Sequence, residues 1–189
     1  MEESKELKIA EDFYHYVCLH TTLSKPKVLE VGCGYGRAAT YMCQIAGQLT
    51  LIDTDKKVID YMSAHQVKNR DNIQVKCMYS DQVKGPFDMV YYFLSLHHIV
   101  DIPAELEQAK KLLNLNGQLY ICEYIPIPSY PLHRYDQVPH EGFAINELKR
   151  ELVRNKFSII NIDEISTFNH NIGDKQVKYI IYGMTAKKE

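Results

Sequence analysis

The sequence predicts an α/β protein with a Rossmann-like, doubly wound, mostly parallel sheet of seven strands, helices on both faces, and an antiparallel edge strand. Between residues 27 and 124, short apolar segments alternate with longer amphipathic ones, which is the pattern of successive β-α-β units. Two more strand-like segments end the chain, and the polar stretch between them contains a glycine, which indicates a hairpin. Parallel strands with crossover helices, followed by a terminal hairpin, define this fold class.

Each element has its own signal in the sequence. The apolar residues of segment 5–20 recur every three or four positions, as in an amphipathic helix. Five strands are predicted, at KVLEV (27–31), QLTLID (48–53), IQVKCMYSD (73–81), FDMVYYFLSL (87–96) and QLYICEY (118–124). The helices predicted between them are RAATYMCQIA (37–46), DKKVIDYMSAHQVKN (55–69) and PAELEQAKKLLN (103–114). The last elements are a helix at FAINELKRELVRN (143–155) and the hairpin strands KFSIINIDEIS (156–166) and VKYIIYGMTAK (177–187).

We expect a single domain over residues 1–189. Its parts are an N-terminal helical region (1–25), a core (26–124), a loop (125–142) and a C-terminal helix with strands (143–189). The loop contains four prolines, which prevent a regular element and favour an ordered lid.

Composition narrows the classes of partner. The formal charge is -2 and the basic residues are scattered, so we expect no nucleic-acid partner. No apolar run approaches the roughly 20 residues that span a bilayer, and no signal peptide is evident, so we expect a cytoplasmic protein without a membrane segment. The five cysteines form no C-x-x-C pair and predict buried, reduced thiols. We expect a monomer or a homodimer.

Three glycines follow the first predicted strand, at Gly32, Gly34 and Gly36. Glycine accepts positive φ and lets the backbone approach a ligand closely, and the next helix begins there with unpaired N–H groups. Ligands of doubly wound sheets bind at this edge, beyond the carboxyl ends of the strands. A tight strand-to-helix turn without a ligand is the simpler explanation, but three glycines in five residues favour a binding site.

Acidic residues end the next two strands. Asp53 follows the glycines by about 20 residues, the spacing at which a carboxylate accepts hydrogen bonds from ribose hydroxyls. Because Thr54 and Asp55 are better helix caps, Asp53 remains available for a ligand. Asp81 ends the third strand after Tyr79 and Ser80, where it either contacts an adenine amine or occupies a turn.

The segment Glu30-Val-Gly-Cys-Gly-Tyr-Gly36, with LIDTD, FDMVYYFLSLHHI and KKLLNLNGQLYICEY, resembles the motifs of class I S-adenosylmethionine-dependent methyltransferases. The later segment EGFAINELKRELVRNKFSIINID (141–163) resembles the helix-strand segment of their small-molecule branch. The resemblance implies a methyl transfer from S-adenosylmethionine, with S-adenosylhomocysteine as product. It places Glu30 and the glycines at the methionine part of the cofactor, Asp53 at the ribose and Asp81 at the adenine. The full set of cofactor-binding residues that we expect is Glu30, Gly32, Cys33, Gly34, Gly36, Asp53, Thr54, Ser80, Asp81, Phe93 and Leu94.

The acceptor is expected to be a small molecule, methylated on an O, N or S atom. His97 and His98 follow the fourth strand beside the cofactor and are candidate catalytic bases, although such histidines also serve structurally. Substrate-binding residues are expected on the lid and the first helix: Tyr14, Tyr124, Tyr130, His133, Tyr135 and His140. A metal site built from His140, Glu141 and one of the other histidines is conceivable, but their separation in the sequence leads us to expect no metal.

Two other functions are compatible with a glycine-rich α/β fold. A nicotinamide oxidoreductase requires a third glycine where Arg37 stands, so it is disfavoured. A non-catalytic binding or scaffold protein is the stronger alternative, because function does not follow from fold. The glycine loop and Asp53 argue against it.

Overall fold

The structure is a computed structural model that describes residues 2–65, 71–131, 133 and 138–189. Within these residues the chain forms five α-helices, two short 3₁₀ helices and seven strands. The helices are α1 (Glu2–His20), α2 (Ala39–Met42), α3 (Lys56–His65), α4 (Ile102–Leu112) and α5 (Ile145–Arg154). The strands are β1 (Lys27–Val31), β2 (Gln48–Asp53), β3 (Ile73–Cys77), β4 (Phe87–Phe93), β5 (Leu113–Tyr124), β6 (Phe157–Ile172) and β7 (Lys175–Lys188).

All seven strands form one sheet in the order β3-β2-β1-β4-β5-β7-β6. Strands β1 to β5 are parallel, and β7 pairs antiparallel with both β5 and β6. This confirms the predicted fold class, with one refinement: the antiparallel strand lies between β5 and β6, so β6 forms the edge. The strand order reverses between β1 and β4, and this point therefore places a ligand site at their carboxyl ends.

Helices cover both faces of the sheet, as the continuous apolar character of the parallel strands requires. On one face, Phe13 of α1 and Met42 of α2 are fully buried against the sheet. On the other face, Leu106 of α4 and Leu148 of α5 are fully buried. Burial of each such side chain contributes about 1.5–3 kcal/mol. The two cores hold the strand ends in place.

Several boundaries differ from the prediction. The second helix is confined to Ala39–Met42, and it begins without a side-chain cap. Turns with hydrogen bonds between residues three apart, such as Gln44 N to Tyr41 O, replace the rest of it. The third strand ends at Cys77, and a short 3₁₀ helix follows at Ser80–Gln82.

The later strands also differ in length. The fourth strand stops at Phe93, because Leu94 has a positive φ of 49°. The fifth strand begins at Leu113, five residues before the predicted start, and its pairing with β4 is irregular before Gln118. In the terminal hairpin, β6 and β7 pair as far as Ile172 and Lys175, well beyond the predicted limits.

Two of the five cysteines correct the prediction of buried thiols. Cys33, Cys43 and Cys122 are buried, whereas Cys18 and Cys77 are exposed. Cys18 lies on the exposed face of α1. The spacing of apolar residues in this helix was not regular enough to predict which face would be exposed. In the described part of the chain, no helix has both the length and the apolar character to cross a membrane.

Candidate active site

A cavity of about 1170 Å³ opens at the carboxyl ends of the parallel strands, on both sides of the point where the strand order reverses. Strands β1, β2, β4 and β5 each end in residues that line it: Val31, Asp53, Phe93 and Tyr124. Its size exceeds the usual range for one small ligand, roughly 300–1,000 Å³, and allows two ligands side by side.

The glycine turn after β1 forms the floor of the cavity. Gly32 and Gly34 have positive φ, 71° and 48°, and both line the cavity with Cys33. A Cβ atom at Gly32 would lie 2.7 Å from Cβ of Ser95, so this position requires glycine for packing. At Gly34, no described atom lies within 4 Å of an added Cβ, so its backbone faces open space. Gly34 is therefore the point at which a ligand can reach the backbone.

Asp53 connects the second strand to this turn. Its Oδ2 atom accepts a hydrogen bond of 2.9 Å from the backbone N–H of Gly34, and its Oδ1 atom accepts one of 2.9 Å from the backbone N–H of Asp55. Asp55 in turn accepts from Lys57 N and caps α3, as the sequence predicted. A carboxylate has about four acceptor sites, so Asp53 retains capacity for the two hydroxyls of a ribose. Thr54 lines the cavity beside it.

Glu30 lies behind the glycine turn and is 1% exposed. The Tyr91 hydroxyl donates a hydrogen bond of 2.5 Å to its Oε2 atom. Burial raises the pKa of Glu30 to about 8, an effect that the Tyr91 hydrogen bond opposes. Glu30 is outside the cavity lining, as is Gly36. A cation bound above the turn would favour the ionised form of this carboxyl group.

The far end of the cavity is built from the segment after β3. Met78, Tyr79 and Ser80 line it, whereas Asp81 does not. The Ser80 hydroxyl donates to Glu105 Oε2 at 2.7 Å, and the Tyr92 hydroxyl donates to Glu105 Oε1 at 2.5 Å. Glu105 of α4 thus fixes this wall and lines it too.

The opposite end carries an imidazole bonded to a buried carboxylate. His97 lies in a 3₁₀ helix after β4, is 1% exposed, and places Nδ1 at 3.0 Å from both oxygens of Glu123. Its backbone N–H also donates to Glu123 Oε1 at 3.2 Å. The Nε2 atom is buried and has no hydrogen-bond partner among the described residues. Glu123 therefore fixes the ring and leaves Nε2 as its available nitrogen.

Tyr124, His98 and His133 complete this end of the cavity. The Tyr124 ring lies 5.0 Å from the His97 ring, centroid to centroid, and its hydroxyl is buried without a partner in the described chain. Burial and the nearby Glu123 raise the pKa of Tyr124, so its hydroxyl stays protonated at neutral pH and can donate a hydrogen bond.

Comparison with known proteins identifies the family. Residues 7–161 match the family described as a methyltransferase domain. The chain belongs to this family. Among curated relatives, the ubiquinone biosynthesis O-methyltransferase of Pelagibacter ubique is 31% identical over 102 residues, which cover 53% of this chain and 42% of that protein. The 27-O-demethylrifamycin SV methyltransferase of Amycolatopsis mediterranei is 26% identical over 144 residues, which cover 73% of this chain and 50% of that protein. The chain spans about half the length of these relatives.

Solved structures share the fold of this methyltransferase domain. An S-adenosylmethionine-dependent methyltransferase from Aquifex aeolicus superimposes with a TM-score of 0.74 at 17% identity, covering 94% of this chain and 90% of that one. The magnesium protoporphyrin IX methyltransferase from Synechocystis, with bound S-adenosylhomocysteine, gives a TM-score of 0.72 at 16% identity. That match covers 98% of this chain and 84% of the other. These similarities support the architecture.

Ten of the predicted cofactor-binding and catalytic residues line this cavity. They are Gly32, Cys33, Gly34, Asp53, Thr54, Ser80, Phe93, Leu94, His97 and His98. Tyr124 and His133, from the predicted acceptor-binding set, line it too. Three predicted acceptor-binding residues lie outside the lining. Tyr14 packs on Tyr41, the Tyr130 hydroxyl accepts a hydrogen bond from Lys175, and the His140 ring packs against Phe143 at a tilt. Tyr135 lies outside the described residues.

Other lining residues were missed. Lys5, Glu6 and Ile9 of α1, together with Phe168 and His170 of β6, approach the cavity from the outside. Arg37 lies in this wall and forms an ion pair with Glu6 at 2.5 Å. The positions of these residues depend on how α1 and the terminal hairpin pack over the sheet. No local sequence motif predicts that packing.

The cavity suits S-adenosylmethionine by the chemistry of its residues. Gly34 leaves space for close backbone approach, and the Asp53 carboxylate suits a ribose. Arg37, which stands where a third glycine would admit a diphosphate, is engaged with Glu6. A sulfonium cofactor without phosphate fits this arrangement better than a dinucleotide does.

Proposed function

We propose that this protein is an S-adenosylmethionine-dependent methyltransferase that methylates an O, N or S atom of a small molecule. The observation that supports it most is the continuity of one cavity, which joins the glycine turn and Asp53 to a wall of imidazole and phenol groups. A donor and an acceptor can therefore lie side by side, away from bulk water.

At the donor end, Asp53 would accept hydrogen bonds from the ribose, and the backbone at Gly34 would contact the methionine portion. Glu30, behind the turn, would interact favourably with the ammonium group. Met78 and Ser80 would contact the adenine, with Glu105 holding Ser80 in position. Bound S-adenosylmethionine would supply a methyl group activated by its sulfonium sulfur.

Phe93 and Leu94 form an apolar wall beside the cofactor, and at the acceptor end the Tyr124 hydroxyl is available to orient the acceptor. In the reaction a lone pair of the acceptor bonds to the methyl carbon as the carbon–sulfur bond breaks, with its electron pair remaining on sulfur. An acceptor proton leaves to a base or to water. The Nε2 atom of His97 is suitably placed for this base when the acceptor starts protonated.

The relatives support an acceptor of low molecular weight. The curated names include O-methyltransferases of ubiquinone biosynthesis and of a demethylrifamycin. The formal charge of -2 also disfavours a nucleic-acid acceptor.

A turnover screen tests this proposal. The purified protein is incubated with S-adenosylmethionine and a panel of phenols, carboxylates, amines and thiols, and S-adenosylhomocysteine and methylated product are quantified by mass spectrometry. We expect at least one class to give stoichiometric amounts of both products, and Asp53→Ala to lose the reaction. Cofactor binding without turnover on any class would support the non-catalytic alternative instead.

A further inference from the structure

Three imidazoles converge at the acceptor end of the cavity. One ligand nitrogen from each of His97, His98 and His133 lies within 4.8 Å of the other two. The ring of His97 is 4.2 Å from the ring of His98 and 5.1 Å from that of His133, centroid to centroid. The residues come from two separate segments, the turn after β4 and the chain beyond β5, so the fold brings them together.

His97 has the environment of a metal ligand. Glu123 binds its Nδ1 through both carboxylate oxygens, and both residues are buried. Protein histidines that bind metals commonly donate the second ring nitrogen to a carboxylate, which orients the ring and increases its basicity. The Nε2 atom is buried and lacks a partner among the described residues, which is costly unless a ligand satisfies it.

We propose that His97, His98 and His133 bind a divalent transition-metal ion of the zinc type, with Glu123 as the group that orients His97. Imidazole nitrogens suit zinc, iron, nickel and copper rather than magnesium or calcium, which prefer oxygen. Sites with three protein ligands and one open position are the pattern of catalytic zinc.

Binding a metal ion requires the three ligand nitrogens, now within 4.8 Å of one another, to move only slightly closer together. Zinc–nitrogen bonds of about 2.1 Å place tetrahedral donors roughly 3.4 Å apart. His97 is held by Glu123, whereas His98 is exposed and His133 is half-buried. The Tyr124 hydroxyl, on the same wall, can hydrogen-bond to a ligand in the open position.

The ion would also define the acceptor class, an inference that rests on the proposed methyl transfer. Its open position would face the cavity in which Leu94 and Tyr124 lie. An acceptor oxygen at that position would lose its proton more readily, because a metal ion lowers the pKa of an oxygen ligand. With His97 bound to the ion and no longer acting as the base, the released proton would pass to solvent. The matching acceptors are phenols and other hydroxyl compounds rather than amines.

Titration with Co²⁺ tests the site without any methyl acceptor. Tetrahedral Co²⁺ with nitrogen ligands absorbs visible light strongly, so purified, chelator-treated protein of residues 1–189 is titrated while its absorption spectrum is recorded. We expect one equivalent of Co²⁺ to bind with this spectrum and one equivalent of Zn²⁺ to displace it. Absence of a stoichiometric, saturable spectrum would overturn the proposal.

Variants assign the ligands. His98→Ala and His133→Ala should each weaken Co²⁺ binding at least tenfold, and the double variant should abolish the spectrum. Glu123→Gln should weaken binding roughly 10–100-fold, as expected for a carboxylate that orients a ligand. His65→Ala, at an exposed histidine of α3 outside this cluster, is the matched control and should bind as the parent does. Unchanged binding in the double variant would contradict the assignment.

Two further measurements separate this inference from the proposed function. Circular dichroism and thermal unfolding of the metal-free variants must match the parent, which excludes misfolding as the cause of lost binding. Asp53→Ala should retain Co²⁺ binding while losing S-adenosylmethionine. If metal binds but no acceptor is methylated, the metal site stands and the methyl-transfer proposal fails. If phenols are methylated at full rate by the double variant, the metal role fails and methyl transfer stands.

Discussion

Asp53 and Gly34 are joined by a hydrogen bond of 2.9 Å from the backbone N–H of Gly34 to the Oδ2 atom of Asp53. The bond links the end of β2 to the glycine turn after β1, and both residues line the same cavity. One carboxylate therefore holds the glycine turn in place and also lines the cavity.

The glycines of the turn should respond differently to alanine substitution. Gly34→Ala adds a methyl group that meets no described atom within 4 Å but points into ligand space, and its φ of 48° costs about 1 kcal/mol. We expect a small loss in Tm and at least a tenfold weaker Kd for S-adenosylmethionine by calorimetry. Gly32→Ala should destabilise the fold more, because its Cβ would lie 2.7 Å from Cβ of Ser95.

Gly173→Ala is the matched control for this pair. Gly173 lies in the turn of the terminal hairpin with a φ of 60° and an equally open surrounding among the described atoms. Its substitution should reproduce the loss in Tm of Gly34→Ala and leave cofactor binding unchanged. Equal Kd values for Gly34→Ala and Gly173→Ala would show that the glycine turn after β1 is not part of the cofactor-binding site.

Glu30 should make stability depend on pH. Burial raises its pKa from 4.5 to about 8 in the folded state, so the native state binds the proton more tightly than the unfolded state does. The contribution of this proton to the free energy of unfolding is therefore fully present below about pH 4.5 and is lost as the pH rises through about 8. The loss is on the order of a few kcal/mol.

Glu30→Gln removes this titration and keeps a partner for the Tyr91 hydroxyl. In urea unfolding, the variant should gain stability relative to the parent between about pH 5 and about pH 9. A difference between the two proteins that stays constant over this range would show that Glu30 does not titrate with a raised pKa.

Tyr124→Phe should separate function from stability. The Tyr124 hydroxyl is buried with no partner in the described chain, so removing it should leave Tm unchanged or slightly higher. If the hydroxyl orients the acceptor, kcat/KM should fall about tenfold or more, while the Kd of the cofactor stays constant. Tyr182→Phe is the contrasting variant, since its buried hydroxyl donates to Phe143 O at 3.1 Å, and it should lose about 1 kcal/mol of stability. A stability loss at Tyr124 equal to that at Tyr182 would indicate a structural role instead.

The sequence was sufficient to predict the sheet, its terminal hairpin and the cofactor end of the cavity. Gly32, Gly34 and Asp53 belong to contiguous strand-turn segments, and the carboxyl ends of parallel strands meet at one edge regardless of packing details. Local patterns were therefore sufficient to predict the fold class and the edge of the sheet at which the cavity lies.

The acceptor end was predicted less well because it depends on contacts between distant segments. His97 meets Glu123 through the register of β4 and β5, and His133 joins them from the chain beyond β5. Glu105 reaches Ser80 only through the position of α4 over the sheet. No spacing in the sequence encodes these distances.

Calorimetric titration with S-adenosylmethionine and S-adenosylhomocysteine tests whether this cavity binds the sulfonium cofactor, with NADH as the competing cofactor and Asp53→Ala as the variant. We predict that both sulfur compounds bind with one-to-one stoichiometry, that NADH does not bind, and that Asp53→Ala weakens both interactions at least tenfold while its circular dichroism matches the parent. Binding of NADH, or no heat with either sulfur compound, would contradict the assignment of this cavity to S-adenosylmethionine.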